Sequence, residues 1–376
     1  MRFLKGGMFG AVATMVGLIV GAGVLGLPYV MAQAGFFTGL LIMLIVVGLI
    51  IVSGLYMGEV VQRTAGKHSL PGLIERYLGK WGKRFLTFFF VFGSYGAMSA
   101  YVIASGDLLS VIFGIDIPII LSILFWIICS VAIYFGLRQM ETVEKIFSPL
   151  KVLLLIVIGV FLFSFIDFGN LASFSFSKLH VPFAVILFAL FGLWSIVEMN
   201  EELKDKRLLK KSLIWAVAIS AVCYLIFSFA LVGIMGSDTP QVATTGLEIV
   251  GGFGLVLINL FALLAVGTAY VALGYALKEM FIYDYSFKVR KAWGFAVSIP
   301  LIMTLIRPTS FIQLLGLTAT IGGGMAVVMF LIAHSKAQRR GTLAPSYVMP
   351  NNWWLKGALI LIFVLATVWE VVGLFL

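Results

Sequence analysis

The sequence GAGVLGLP at residues 21–28 places three glycines and a proline in eight positions, in the middle of a long apolar run. Glycine weakens a helix and proline removes a backbone donor, so this stretch predicts an interruption of helical hydrogen bonding. Inside a bilayer, non-helical backbone is tolerated only where it is buried in protein or lines a water-filled cavity. The free amides of the half-helix that follows predict a site for an anion such as a carboxylate. Close helix packing is the alternative use of such glycines.

The composition around this stretch identifies lipid as the solvent. The 376 residues are 62% hydrophobic and 11% charged, and a water-soluble globular domain carries roughly twice that charged share. Apolar runs recur from one end to the other, with no hydrophilic stretch large enough to fold separately. The chain is therefore predicted to be an all-α polytopic membrane protein consisting of one transmembrane domain, 1–376.

Segments of about 20 apolar residues are long enough to cross the hydrocarbon core, and eleven such segments can be assigned. The predicted spans are 8–35, 37–62, 85–110, 117–137, 145–167, 180–200, 212–235, 250–280, 292–306, 309–334 and 355–376. Residues 69–85 carry apolar side chains at helical spacing with Lys and Arg on the other side, which predicts a helix lying on the inner membrane surface.

The basic residues predict the orientation of the chain in a cell membrane. With the N-terminus in the cytoplasm, all but three of the 26 Lys and Arg fall in cytoplasmic segments. The exceptions are Lys178 and Arg307 in outer segments and Lys151 within the fifth span. This asymmetry predicts a cytoplasmic N-terminus and, with eleven spans, an extracellular C-terminus. Because the charges are divided among short loops, the net charge of +10 does not indicate a nucleic-acid partner.

A second interruption is predicted around residues 188–192 of the sixth span. One broken span at position one and another at position six are the arrangement expected of two five-helix repeats inserted with opposite orientation. The repeats would be 8–167 and 180–334, with 355–376 as one extra helix. The halves share no obvious sequence identity, so this assignment depends on the position of the breaks.

Enzymatic and metal-dependent functions find little support in the sequence. Cys129 and Cys223 lie far apart in apolar runs, and the three histidines are scattered, so neither a disulfide nor a metal site is predicted. The chain has neither an HExxH pattern nor a nucleotide-binding GxxxxGK[ST] loop. We therefore predict no enzymatic activity, no cofactor and no bound metal.

Four segments carry a resemblance to known proteins. They are GAGVLGLPYVMAQAGF, AYVIASGDLL, FALFGLWSIVEMNEELKD and GTAYVALGYALKEMFIYD, in the first, third, sixth and eighth spans. With these segments the sequence is similar to the amino acid permeases of the amino acid, polyamine and organocation superfamily, in particular the amino acid/auxin permease branch and, within it, the tyrosine and tryptophan permeases. The resemblance implies the fold of the bacterial leucine transporter, with five plus five inverted helices.

The resemblance also implies a substrate site at the two breaks. Backbone amides of residues 21–23 would bind the substrate carboxylate, carbonyls near Phe188 and Ala189 would take its ammonium group, and Phe188 would serve as an aromatic outer gate. Trp194, Tyr95 and Ser99 would face the side-chain pocket, although simple helix packing is the alternative for these aromatic residues. The complete predicted set is Gly21, Ala22, Gly23, Val24, Tyr95, Ser99, Phe188, Ala189, Gly192, Trp194 and Thr268.

Two departures from sodium-coupled relatives concern ion coupling. Thr268 is present on the eighth span, but Ala272 occupies the position where a second hydroxyl ligand would align. Lys151 is similar to the lysine that replaces this sodium ion in proton-coupled and sodium-independent members. The resemblance therefore implies proton-coupled or sodium-independent transport, while the alternative is a lysine that extends to the lipid head groups.

Together these features predict a secondary active transporter that works by alternating access. Few intramembrane charges are available, so the expected substrate is a neutral amino acid, and the aromatic lining favours a large apolar or aromatic one. The expected partners are the amino acid, protons and membrane lipid. A transporter of another small solute or of a metal ion, with the same fold, is an alternative, although the first break lacks the oxygen ligands that a metal ion needs. A channel or a membrane assembly subunit is the other alternative.

Overall fold

The computed structural model describes residues 7–66, 68–135, 140–283, 285–306 and 309–374, without the side chains of 140–148. Arg307 lies outside these ranges. The helices are α1 (Met8–Ile19), α2 (Gly23–Ala34), α3 (Phe36–Gln62), α4 (Leu70–Phe113), α5 (Pro118–Phe135), α6 (Met140–Leu162), α7 (Phe183–Leu190), α8 (Ile196–Glu202), α9 (Leu209–Met235), α10 (Gly252–Tyr283), α11 (Val289–Ile306), α12 (Phe311–Leu317), α13 (Met325–Arg340) and α14 (Trp353–Val372).

These helices confirm the all-α membrane fold. Within the described ranges, nine helical stretches are long and apolar enough to cross a membrane, and α1 with α2, bent by 62°, makes a tenth. Two of the nine stretches join neighbouring helices, α7 with α8 and α12 with α13. Helix α6 occupies the fifth predicted span, so each of the eleven predicted spans corresponds to helix. The repeat boundaries remain a prediction.

The first span is broken where its glycines begin. Helix α1 ends at Ile19, α2 starts at Gly23, and the residues between them are not helical. The Tyr224 hydroxyl donates a hydrogen bond of 2.6 Å to the Ile19 carbonyl, which satisfies one of the free acceptors at the end of α1. Pro28 lies inside α2 and not in the break. The interruption is therefore shorter than the sequence predicted and is centred on Gly21.

The sixth span is broken at Phe191 and Gly192, within the stretch that the sequence predicted. Helix α7 ends at Leu190, and a 3₁₀ turn over Leu193–Ser195 leads into α8. The Ser195 hydroxyl donates to the Gly192 carbonyl at 2.8 Å, so the turn satisfies part of its own backbone.

The predicted surface helix is continuous with the third span. Helix α4 runs from Leu70 to Phe113, with a sharp bend at Gly79, whose φ of +76° is a conformation that favours glycine. Leu73 and Tyr77 are buried before the bend, whereas Trp81 after it is 68% exposed.

Four helices, α4, α5, α10 and α11, form one wall of the molecule. Helices α5 and α11 are joined by two indole groups that donate to backbone carbonyls. Trp126 donates to the Val297 carbonyl at 2.9 Å, and Trp293 donates to the Ser130 carbonyl at 2.8 Å. These reciprocal bonds fix the position of the two helices relative to each other.

Candidate substrate site

The two breaks meet at Gly23. A Cβ atom on Gly23 would lie 2.7 Å from the Cα of Ala189 and 3.2 Å from Cδ1 of Phe188. Contacts this short show that the start of α2 packs directly against the backbone at the end of α7. Glycine is required because any side chain would force the two half-helices apart.

Backbone groups at this contact have unused hydrogen-bonding capacity. The amides of Ala22 and Gly23 make no hydrogen bond to another described residue. They lie at the N-terminal end of α2, where the helix dipole favours negative charge. Across the contact, the Ala189 carbonyl likewise accepts no bond within the described ranges, while the Phe188 carbonyl accepts from the Phe191 amide at 3.2 Å. A free donor pair therefore lies close to a free acceptor.

A cavity of about 590 Å³ lies beside the breaks. Its walls come from the two broken spans, α4, α6, α10 and the segment that joins α12 to α13. The lining extends to His68 and Pro71 before α4 and to Tyr283 at the end of α10. This is the end of the molecule where the Lys- and Arg-rich segments lie.

Seven of the predicted site residues line this cavity, and five do not. Those that line it are Gly21, Ala22, Gly23, Lys151, Phe188, Ala189 and Trp194. Those that do not are Val24, Tyr95, Ser99, Gly192 and Thr268. The structure thus brings together the residues of the two breaks and separates from them the polar residues predicted on the third and eighth spans.

The polar residues outside the cavity have other partners. Tyr95 donates through its hydroxyl to the Phe295 carbonyl of α11 at 2.7 Å, and Ser99 donates to the Tyr95 carbonyl at 2.7 Å. Thr268 donates to the Ala265 carbonyl of its own helix at 3.1 Å. These bonds occupy the three hydroxyls, and none of the three residues lines the cavity, contrary to the prediction for each of them.

The two apolar residues outside the cavity serve packing. Val24 is fully buried within the core. A Cβ on Gly192 would lie 2.6 Å from Ile19 and 3.0 Å from Met15, so this glycine permits close contact between the sixth span and α1.

The face of α4 that lines the cavity was not predicted from the sequence. It consists of Phe90, Gly93, Ser94, Ala97 and Tyr101. Their spacing follows one face of a helix, with three small residues between two aromatic ones, and this pattern could have identified the face. The Tyr101 hydroxyl has no hydrogen bond to another described residue, although the side chain is only 7% exposed. Tyr101, and not Tyr95, is therefore the tyrosine of α4 that lines the cavity.

A segment of π-helix, Thr318–Gly324, joins α12 to α13 and was also missed. Thr318, Ala319, Gly322 and Gly323 line the cavity. A Cβ on Gly322 would lie 2.7 Å from the Cα of Gly93, so the segment contacts α4 through backbone atoms. This contact agrees with the packing role expected of closely spaced glycines.

Aromatic side chains surround the cavity beside the breaks. The ring of Trp194 packs edge to face against Phe90 and Phe191, with centroids 5.1 and 5.9 Å apart. Tyr101 and Phe188 form a second such pair at 6.4 Å. These geometries are favourable for aromatic pairs and present a large apolar surface to a ligand.

Lys151 reaches the same cavity from α6. It is only 6% exposed, and α6 packs against α1 and α9. A lysine that extends to lipid head groups would place its charge at the membrane surface, whereas this side chain is enclosed by protein and borders the cavity.

The broken first and sixth spans, meeting over a central cavity, define a transporter of the leucine-transporter fold. A solved structure supports this fold: MhsT in complex with L-phenylalanine superimposes with a TM-score of 0.69 at 16% identity and covers 96% of this chain and 99% of its own.

Sequence comparison gives the family. Residues 5–372 match the tryptophan/tyrosine permease family, and the chain belongs to it. Tyrosine-specific transport system 1 of Haemophilus influenzae is 25% identical over 94% of each chain. The low affinity tryptophan permease of Proteus vulgaris is 22% identical over 86% of this chain and 85% of its own, and glutamine transporter 2 of Aliivibrio fischeri is 22% identical over 72% and 74%.

Proposed function

We propose that this permease carries a neutral amino acid with a large side chain across the cell membrane by alternating access, and that the driving ion is the proton. The contact between Gly23 and Ala189 carries the proposal, because it places free amides and a free carbonyl a few ångströms apart beside a cavity. An α-amino acid presents a carboxylate and an ammonium group at a similar separation. The named relatives, which include tyrosine and tryptophan transporters, support an aromatic substrate.

Each part of the substrate has a counterpart in the site. The carboxylate would accept hydrogen bonds from the Ala22 and Gly23 amides, stabilised by the positive end of the α2 dipole. The ammonium group would donate to the Ala189 carbonyl. The side chain would pack among Phe188, Trp194 and Tyr101, with the Tyr101 hydroxyl available to a polar group of the substrate.

Lys151 would couple transport to protons. An ammonium group within a span costs about 2.5 to 3.5 kcal/mol on insertion scales, so a charged lysine is favoured when water enters the cavity and a neutral one when the cavity is closed. One proton could therefore bind and leave in each cycle. The carbonyl end of α1, which packs against α6, would stabilise the charged form as it stabilises a bound cation in sodium-dependent transporters.

The orientation of the chain follows from its charges. We propose that the Lys- and Arg-rich end, to which the cavity extends, faces the cytoplasm, with Met1 inside and Leu376 outside. The structure would then correspond to an inward-facing state. Reporter fusions at both termini test this topology, and termini on the same side would contradict it.

Uptake into proteoliposomes tests the function. A panel of labelled amino acids would be offered under an inward proton gradient and, separately, under an inward sodium gradient at constant pH. We expect saturable, proton-driven accumulation of an aromatic amino acid. Sodium-driven accumulation would overturn the coupling, and non-saturable flux would indicate a channel.

A further inference from the structure

Glu59 is the centre of a buried polar cluster at the Lys- and Arg-rich end of the molecule, away from the substrate cavity. Its carboxylate accepts hydrogen bonds from Arg63 at 2.7 Å, Gln338 at 3.2 Å and the Met349 amide at 2.5 Å. Its other contact is Nε2 of His334 at 2.9 Å. Glu59 and His334 are both fully buried. These bonds, called the hub below, hold α3 against α13.

Met349 belongs to residues 341–352, the connection between α13 and α14, called the strap below. The strap is bonded to α3 at further points. Tyr347 donates to the Leu55 carbonyl and Tyr56 donates to the Pro350 carbonyl, both at 2.9 Å. Burial raises the pKa of Tyr347 well above its usual range, so this donor keeps its proton at any working pH. The strap is therefore fixed to α3 by its central and final residues.

Gln62, one turn beyond the hub, joins the strap to the end of the broken sixth span. Its Oε1 accepts from the amide of Ser346 at 2.8 Å and from the Ser346 hydroxyl at 2.9 Å. Its Nε2 donates to the Lys206 carbonyl at 2.9 Å and contacts Oδ1 of Asn200 at 3.5 Å. The Ser346 hydroxyl is also 2.9 Å from the Lys206 carbonyl. We call this set of bonds the clasp.

The clasp is connected directly to the cavity wall. Asn200 is part of α8, and α8 lines the cavity through Val197 and Glu198. The end of α8 is in turn bonded to α1, because the Thr14 hydroxyl donates to Glu202 at 2.8 Å. Both inner half-helices of the broken spans are thus held through the clasp to the strap.

The hub and the clasp differ in how easily they separate. The hub is centred on the Glu59 carboxylate, which is fully buried, and separating it from its partners would leave an uncompensated buried charge. The clasp joins the neutral side chain of Gln62, which is buried, to Ser346 and Lys206, which are exposed, so water can replace the partners of Gln62 when they move away. We propose that the clasp is a releasable latch. While its bonds are made, α8 is held away from the facing wall of the cavity, and the mouth of the cavity, at the Lys- and Arg-rich end of the molecule, stays open. The bonds of the hub remain made throughout the transport cycle.

The substitution Gln62→Glu removes the bonds on one side of the clasp and keeps those on the other side. A glutamate keeps the acceptor oxygens for Ser346 but loses the amide donor to Lys206 and Asn200. Val197→Cys reports the state of the mouth, because Val197 lines the cavity and the native Cys129 and Cys223 are both buried. Labelling by a membrane-impermeant maleimide would be measured on the full chain in lipid nanodiscs, without substrate.

We expect Gln62→Glu to slow labelling of Val197→Cys by about tenfold, since the loss of one to two hydrogen bonds shifts the equilibrium toward a closed mouth by this order. Lys288→Cys, which is exposed on the neighbouring loop, should label at an unchanged rate in both backgrounds. Equal labelling of Val197→Cys with and without Gln62→Glu would overturn the latch.

Ser346→Ala provides a second test if Gln62→Glu does not give a monodisperse protein. It removes the hydroxyl bonds to Gln62 and Lys206 but retains the backbone amide, so we expect slowing of about threefold. An unchanged rate would again overturn the proposal. The latch rests on alternating access as proposed above, but its readout requires no amino acid. Altered labelling in a chain that takes up no amino acid would therefore contradict the proposed substrate and not the latch.

Discussion

The helix group α4, α5, α10 and α11 and the two broken spans are stabilised in different ways. In the helix group, polar side chains reach across to backbone carbonyls of a neighbouring helix, as Trp126 and Tyr95 do, and as Lys278 does to the Ile133 carbonyl at 2.6 Å. At the breaks, Gly23 meets Ala189 with no side chain between them, and free backbone groups remain.

This difference indicates which part of the molecule is rigid and which part carries out transport. Interhelical bonds to carbonyls fix both position and rotation, so the helix group is suited to serve as a static wall. The glycine contact permits close approach but makes no directional bond, and the unpaired backbone is available to a ligand. The comparison predicts that substitutions at the breaks alter transport, whereas substitutions of the side chains that bond one helix of the group to another alter stability.

Gly23→Ala should have the largest effect. The added methyl would lie 2.7 Å from the Ala189 Cα, so the half-helices must separate and the free amides must move. A displacement of about 1 Å can cost on the order of 100-fold in activity, and we expect a loss of at least this size in uptake. Gly267→Ala in α10 is the matched control, because Gly267 does not line the cavity and its methyl would lie at an ordinary 3.6 Å from Phe125. Normal uptake by purified Gly23→Ala would contradict the proposal that the substrate binds where the two breaks meet.

Two buried lysines, Lys151 of α6 at the cavity and Lys278 within the helix group, allow a direct comparison. Lys151→Met should lose accumulation driven by a proton gradient, roughly tenfold or more, while exchange of internal for external substrate continues. Lys278→Met should retain coupling and instead lower stability by about 1 to 3 kcal/mol, because the Ile133 carbonyl loses a charged donor. Uptake under imposed gradients and thermal unfolding in detergent measure the two effects. Undiminished proton-driven accumulation by Lys151→Met would show that this lysine is not the coupling group.

Two tyrosines of α4 test which face of that helix binds substrate. Tyr101→Phe should weaken substrate binding by about fivefold to tenfold, the value of one hydrogen bond, if the hydroxyl contacts the ligand. Tyr95→Phe loses its bond to the Phe295 carbonyl and should leave affinity unchanged. Binding of a labelled amino acid to the two purified variants measures these effects. Weaker binding by Tyr95→Phe with unchanged binding by Tyr101→Phe would instead favour the face of α4 that was predicted from the sequence.

Trp126→Phe should have the smallest effect. It removes one indole donor to the Val297 carbonyl while keeping an aromatic ring, so we expect a loss of about 0.5 to 1.5 kcal/mol in stability. Thermal unfolding measures this, and the Michaelis constant and proton dependence should not change. A changed Michaelis constant would mean that the helix group is not a static wall.

The sequence by itself determined the features that depend on local chemistry. Apolar length defined the spans, and the glycines beginning at Gly21 and the interruption near Gly192 located both breaks to within a few residues. Lipid offers no hydrogen bonds to an irregular backbone, so a break in a transmembrane run is visible without knowledge of its neighbours.

Only the tertiary structure decided which faces of intact helices line the cavity. Tyr95 and Tyr101 both lie on an apolar helix, and the packing of α4 against α11 directs the first toward the Phe295 carbonyl and leaves the second at the cavity. The same is true of the hub, since Glu59 and His334 are 275 residues apart in the chain. In a helix surrounded by apolar neighbours, hydrophobic periodicity is weak, and rotation about the axis is therefore set by contacts with distant segments.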